Sequence, residues 1–183
     1  MSANWHEQTI VPTGTTRRIV TAHRNGKSVV VDDSVLHPKD FMGGRVTELW
    51  QTMGVPAIPL ESDDYKKKLT LKMPQAGGTR VRLAIFPPGD AVFQKAKEKG
   101  RDPVEDWRRL FGDDFGFHAT DTVDFGLILS GELWIRLDDG LEIHLQEGDC
   151  IVNNGTRHCW RNKSSQDCVA VFFYIGAKRD PTQ

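Results

Sequence analysis

Cysteine is scarce in this chain and follows no pattern. Three residues, Cys150, Cys159 and Cys168, give an odd number without any CxxC spacing. That excludes a disulfide framework and a zinc ribbon, and leaves three small hydrophobes expected to be buried. Charge of one sign is also missing. The 24 Lys and Arg against 25 Asp and Glu are mixed along the chain and leave a net charge of −1. The one basic run, Lys66-Lys67-Lys68, reads as a solvated strand flank, so neither nucleic acid nor an anionic membrane is an expected partner. No long apolar stretch exists either: the longest, Val169 to Ile175, is far too short for a membrane span. The opening Met-Ser-Ala-Asn-Trp-His has neither the basic nor the apolar block of a secretory leader, so a soluble, cytoplasmic protein is expected. There is no internal repeat and no low-complexity tract.

What is present is a succession of short β-type segments. A length of 183 residues suits one domain with a real core. Arg17 to Arg24 and Lys27 to Asp33 flank Asn25-Gly26, a favoured two-residue hairpin turn. Gly44 to Thr52 predicts a strand with Val46, Glu48 and Trp50 on one side. Lys68 to Met73 alternates polar and apolar residues as a half-buried strand would, and Arg80 to Phe86 predicts another, ending at Pro87-Pro88-Gly89. Beyond His118 the pattern is again β. Phe125 to Asp138 and Gly140 to Leu145 are joined by an Asp139-Gly140 turn, with further strands around Cys150, over Thr156 to Trp160 and over Cys168 to Gly176. Short strands with frequent Gly and Asp turns indicate an all-β sandwich or small barrel.

One segment differs in kind. Ala91 to Lys99 has helical composition stopped by Gly100, and Asp102-Pro103 caps a second helix with Val104, Trp107, Leu110 and Phe111 on one face. This predicts a short helical insertion over about 91–112. With Phe93, Phe115 and Phe117 it forms an aromatic-rich stretch, suited to covering the core or to a lid over the barrel mouth.

Two motifs carry the chemistry. The first runs His118-Ala-Thr120-Asp-Thr-Val-Asp124-Phe-Gly-Leu-Ile-Leu-Ser-Gly131. The second is Gly148-Asp149 followed by Gly155-Thr-Arg-His158-Cys-Trp160-Arg-Asn162. Together they resemble the paired signature of the cupin superfamily, in particular small single-domain members with a His-x-Thr-Asp-Thr-Val-Asp first motif. The resemblance implies an all-β double-stranded β-helix, or jelly-roll barrel, forming a single domain over 1–183. It would have an N-terminal hairpin arm over about 1–40 and barrel motifs over 117–176. A homodimer, with sheet edges or N-terminal strands pairing across subunits, is implied too.

In that family the two motifs usually hold a metal, and His118, Asp124 and His158 would converge inside the barrel. Two imidazoles and a carboxylate suit one divalent metal (iron, zinc, manganese or nickel) with positions left open for substrate. The chain departs from the pattern at Thr120, where a second histidine is usual, and at Asp124, where a longer glutamate is usual. The alternative is a metal-free pocket in which the same three residues form an acid/base cluster on a small organic molecule, with His118 and His158 hydrogen-bonded to Asp124. Oxygenase, decarboxylase and isomerase or dehydratase chemistry all remain open, as does a non-catalytic binding module. Thr120, Ile128, Trp134, Arg136 and Trp160 are expected pocket residues. Trp160 shares a face with His158 and would form an aromatic wall. His144 belongs to a solvated strand face, and Asp121 to a turn.

Overall fold

A computed structural model describes residues 14–58, 69, 70, 72–89, 98, 100, 102, 105 and 116–180. The expected helical insertion, with Phe93, Trp107, Phe111 and Phe115, lies outside the described residues apart from isolated positions. The first strands, β1 (Thr16–Arg24) and β2 (Lys27–Leu36), form the expected hairpin. Its turn places Asn25 and Gly26 at φ 51° and 74°, the left-handed pair that this dipeptide favours. Arg17–Asp33 and Arg18–Asp32 ion pairs cross it.

The remaining strands are β3 (Lys39–Phe41), β4 (Gly44–Thr52), β5 (Thr79–Phe86), β6 (Thr122–Ser130), β7 (Glu132–Arg136), β8 (Glu142–Gln146), β9 (Cys150–Asn154), β10 (Cys159–Arg161) and β11 (Cys168–Gly176). They build a six-stranded sheet, β3-β4-β5-β11-β6-β9, and a three-stranded sheet, β10-β7-β8, antiparallel throughout. The inner faces of these two open-edged sheets share one core, in a jelly-roll arrangement. Val46, Ala84, Ile128, Ala170 and Phe172 from the larger sheet meet Leu133, Ile135 and Leu145 from the smaller. Burying each large aliphatic side chain contributes about 2 kcal/mol.

Several boundaries differ from expectation, each for a local reason. The single strand expected over Phe125 to Asp138 is two strands in different sheets. Gly131 breaks it at φ 75°, where a Cβ would lie 2.7 Å from the Asp167 carbonyl oxygen, so only glycine fits the corner. Trp50 does not share a side with Glu48. A bulge between them puts Trp50 opposite Val81, while Glu48 stays opposite Arg82. The described residues of the Lys68 to Met73 segment join no ladder. Gln51 instead donates to Lys72 O (2.6 Å) and accepts from Thr70 N (3.1 Å), so side-chain bonds fasten them beside β4. In the second motif, β10 begins at Cys159, and His158 makes an isolated bridge. Cys159 and Cys168 are buried as expected, but Cys150 is exposed because it starts β9 on the outer side, opposite Leu127.

That outer side is unusually apolar. Phe125 and Leu127 on β6, Val152 on β9, and Phe173 and Ile175 on β11 are neighbours by register and all exposed.

Candidate functional site

The strands of the larger sheet present alternate residues inward, and this parity builds the site. On β6, Thr122, Asp124, Gly126 and Ile128 point in while Phe125 and Leu127 point out. The β11 partners of Asp124 and Gly126 are Tyr174 and Phe172, whose own partners on β5 are Arg80 and Arg82. Two inward rungs result. One runs Arg80–Tyr174–Asp124–Asn153, and the next runs Glu48–Arg82–Phe172–Gly126. Gly126 is needed there, because a Cβ would lie 2.7 Å from the Phe172 ring.

These rungs wall a cavity of about 350 Å³, the size of a small-molecule site. His118, Thr120, Asp124, His158 and Trp160 all line it. The two motifs are stitched together at the histidines: His118 N donates to His158 O and His158 N to His118 O, both at 2.9 Å. Their rings consequently sit 4.4 Å apart between centroids, tilted by 51°. Trp160 stands edge-on to His158 at 5.6 Å and to Phe172 at 5.5 Å, completing an aromatic wall.

Each polar group has a distinct environment. His118 Nδ1 donates to Gly116 O at 3.2 Å, which puts the ring's lone pair on Nε2. Burial, and secondarily the neighbouring His158, holds His118 below the ordinary imidazole range. Burial likewise lowers His158, so both rings are neutral near pH 7. His158 Nδ1 lies 2.8 Å from Asn153 Nδ2 and 2.9 Å from Thr156 O. Asn153 Oδ1 accepts from Thr156 N, which turns its amide nitrogen toward the imidazole. Accepting from Asn153 leaves the His158 proton on Nε2; donating to Thr156 O leaves a lone pair there. The Asn-Asn-Gly turn thus supports either tautomer.

Asp124 is the outlier. It is only 6% exposed, and its Oδ1 is buried without a hydrogen-bond partner. Burial raises its pKa, with a hydrogen bond from Thr122 partly offsetting this. It is not hydrogen-bonded by the two histidines, contrary to the metal-free arrangement foreseen from sequence; Asn153 and Gly116 O hold the rings instead. Thr120 and Thr122 exchange a hydroxyl hydrogen bond at 2.8 Å.

Among the described residues no group of three His, Cys, Asp or Glu is placed to hold one ion. The histidine rings lie against one another, and the Asp124 carboxyl is near enough to His118 for their charges to interact. His118, Asp124 and His158 thus share one cavity.

Three expected pocket residues are placed elsewhere. On β7, Leu133 and Ile135 take the inward positions, so Trp134 and Arg136 project outward. Trp134 stacks on His144 at 4.2 Å, and Arg136 lies 5.6 Å from Phe117. Ile128 points inward but is packed in the core. Asp121, expected in a turn, is ion-paired with Arg179. Conversely, sequence reasoning missed Arg80, Arg82, Phe172 and Tyr174, all of which line the cavity. Parity on the apolar β11 run, where Phe172 and Tyr174 fall on one side, was the available signal.

The family comparison agrees with this architecture. A model of the Cupin domain matches residues 111–174. A curated protein of Aspergillus oryzae, Oryzines biosynthesis cluster protein J, is 41% identical over 171 residues, covering 88% of this chain and 83% of that one. The chain belongs to the cupin superfamily. This cupin is also 42% identical over 80 residues to Phomopsin biosynthesis cluster protein D of Diaporthe leptostromiformis, covering 44% of this chain and 36% of that one. Among solved structures, a Cupin 2 conserved barrel domain protein from Salinispora arenicola is similar to this cupin with a TM-score of 0.40 and 12% identity, over 73% of this chain and 76% of that one. No helix among the described residues of this cupin is long and apolar enough to cross a membrane.

Proposed function

We propose that this cupin is an enzyme that moves protons on a small organic molecule in its barrel cavity, with His118, Asp124 and His158 as the acid/base cluster. The observation that carries this reading is Asp124 Oδ1, a buried carboxyl oxygen with no partner, beside two neutral imidazoles. An idle buried acceptor costs about 1–3 kcal/mol, and a substrate hydrogen offers it a use. Burial moves Asp124 up and the histidines down, drawing acid and base toward each other so that a proton passes between them at little cost. His118 Nε2 is the base, Asp124 the acid, and His158 with its two available tautomers relays or returns the proton. Proton abstraction next to a carbonyl, isomerisation and dehydration all need this set.

The aromatic wall suits an apolar or aromatic substrate body, and the relatives named for biosynthesis clusters fit a role in secondary metabolism. Free cysteines suit a cytoplasmic location. The exposed face formed by Phe125, Leu127, Val152, Phe173 and Ile175 suits a second copy of this chain, which makes the working form a homodimer. Size-exclusion chromatography with light scattering checks that: a monomer at micromolar concentration overturns it.

The test of the chemistry is isotope exchange. Short 2-oxo and 3-hydroxy acids are incubated with the protein in D2O and followed by proton NMR. Enzyme-dependent loss of a C–H signal, absent with His118→Gln and Asp124→Asn, supports the reading. Binding without exchange or product for any compound favours a non-catalytic binding module. Stoichiometric metal in protein purified without an affinity tag or chelator, with exchange abolished when the metal is removed, overturns the metal-free cluster.

A further inference from the structure

The cavity holds more cationic hydrogen-bonding capacity than its own acids use. Glu48 is the acceptor for two arginines. Arg80 donates to it from Nε (2.7 Å) and Nη2 (2.5 Å), and Arg82 from Nε (2.8 Å) and Nη2 (2.7 Å). One carboxylate thus faces two guanidiniums, all three nearly excluded from solvent. Arg80 is further occupied by the carbonyls of Thr70 and Lys72. Arg82 is not. Among the described residues none accepts from its Nη1, although the residue is 6% exposed and lines the cavity. Its guanidinium plane is fixed by the Phe41 ring at 4.8 Å and the Tyr174 ring at 5.9 Å.

A guanidinium held rigidly in the cavity wall, with Nη1 neither sealed in the protein nor used by it, suits an anion, because a charge-assisted pair is strong where little water competes. The neutral histidines do not supply one. We infer that Arg82, oriented by Glu48, is the anchor for a carboxylate group of the substrate, so that the cavity takes a small organic acid with an apolar body.

The placement fits the proton chemistry. Arg82 and Asp124 lie on adjacent inward rungs, two strands apart. Strand spacing and rise put their Cα atoms roughly 12 Å apart. The arginine side chain and a short acid span that gap, with the apolar body against Phe172 and Trp160 and the carbon beyond it at Asp124 and His118. A bidentate pair with Arg82 would fix which carbon arrives there. This inference rests on the acid/base reading of the cavity, but concerns recognition rather than proton transfer.

Isothermal titration calorimetry with the carboxylates butyrate, hexanoate and cinnamate, against their primary amides, tests it. The acids should bind at least roughly tenfold more tightly than the amides, as a buried charge-assisted pair implies. Arg82→Gln should abolish the preference while Arg80 keeps Glu48 paired, and Arg82→Lys should restore part of it. Asp124→Asn should retain the preference while losing proton exchange, which separates failure of recognition from failure of catalysis. Equal binding of acid and amide to the wild type overturns the inference. So does no binding of any acid, or a preference that survives in folded Arg82→Gln. Should that variant not fold, the wild-type comparison and Arg82→Lys decide alone.

Discussion

Asp124 and Tyr174 face each other across the β6–β11 ladder, a carboxyl beside a phenol on one inward rung. Burial pushes the Tyr174 hydroxyl up to about 12 and raises the carboxyl too, so the rung favours protonated, uncharged groups. The arginines one strand away supply the positive charge. The cavity wall therefore changes from cationic to proton-donating within two strands, which is the order a bound acid needs.

Asp124→Asn should stabilise the fold near neutral pH while removing proton exchange. The folded pKa lies above the ordinary 3.8, so ionising the carboxyl costs stability as pH rises from 3.8 through the raised value. A neutral amide avoids that cost, and a gain of about 1 kcal/mol is expected at pH 7.5. Urea midpoints at pH 4 and 7.5 check this: the advantage should be confined to the higher pH.

The histidines act in the opposite sense. Both have folded values below 6.5, so the unfolded chain takes up protons that the folded chain refuses. Their contribution is complete above 6.5 and is lost as pH falls below it toward the folded values. Melting temperature should therefore drop on acidification through this window, and the slope should be shallower in His158→Gln. An unchanged slope in that variant would show that His158 is not buried neutral.

Much of this fold was legible from residues. Asn25-Gly26 marked the hairpin, and the ends of β4 and β11 fell where glycine, proline and alternating apolar residues placed them. What escaped depended on departures from strict alternation. The bulge after Glu48 turns Trp50 outward, and Gly131 sends β7 to another sheet with Trp134 and Arg136 facing out. The site divided the same way. His118, Asp124 and His158 stood out by chemistry and motif, whereas Arg82 and Tyr174 became visible only once β5, β11 and β6 were neighbours. Register between strands distant in sequence is not written in any one of them.

Filling the glycine notch on β6 should disturb the aromatic wall without touching a polar group. Gly126→Ala puts a methyl 2.7 Å from the Phe172 ring, at an expected cost of about 1–3 kcal/mol. Phe172→Leu in the same chain should recover part of it. Thermal unfolding of the single and double variants measures the coupling, and strict additivity would argue against the contact.

Removing Arg80 should be the most damaging of these changes. Arg80→Met leaves Glu48 with Arg82 alone and strips the donor from two loop carbonyls, with a loss of about 3–5 kcal/mol expected. Denaturant unfolding measures it; a loss below about 1 kcal/mol would show that the buried pair is dispensable.

Arg80 also has a reach beyond the cavity. The same guanidinium that shares Glu48 with Arg82 grips the carbonyls of Thr70 and Lys72, described residues that join no ladder. Whatever draws on the Glu48 pair from inside is thus mechanically tethered to main chain outside the sheet. Occupancy of the barrel should be felt there as a tightening or slackening of backbone. Amide exchange at Thr70 and Lys72 becomes an external gauge of a ligand that never touches them.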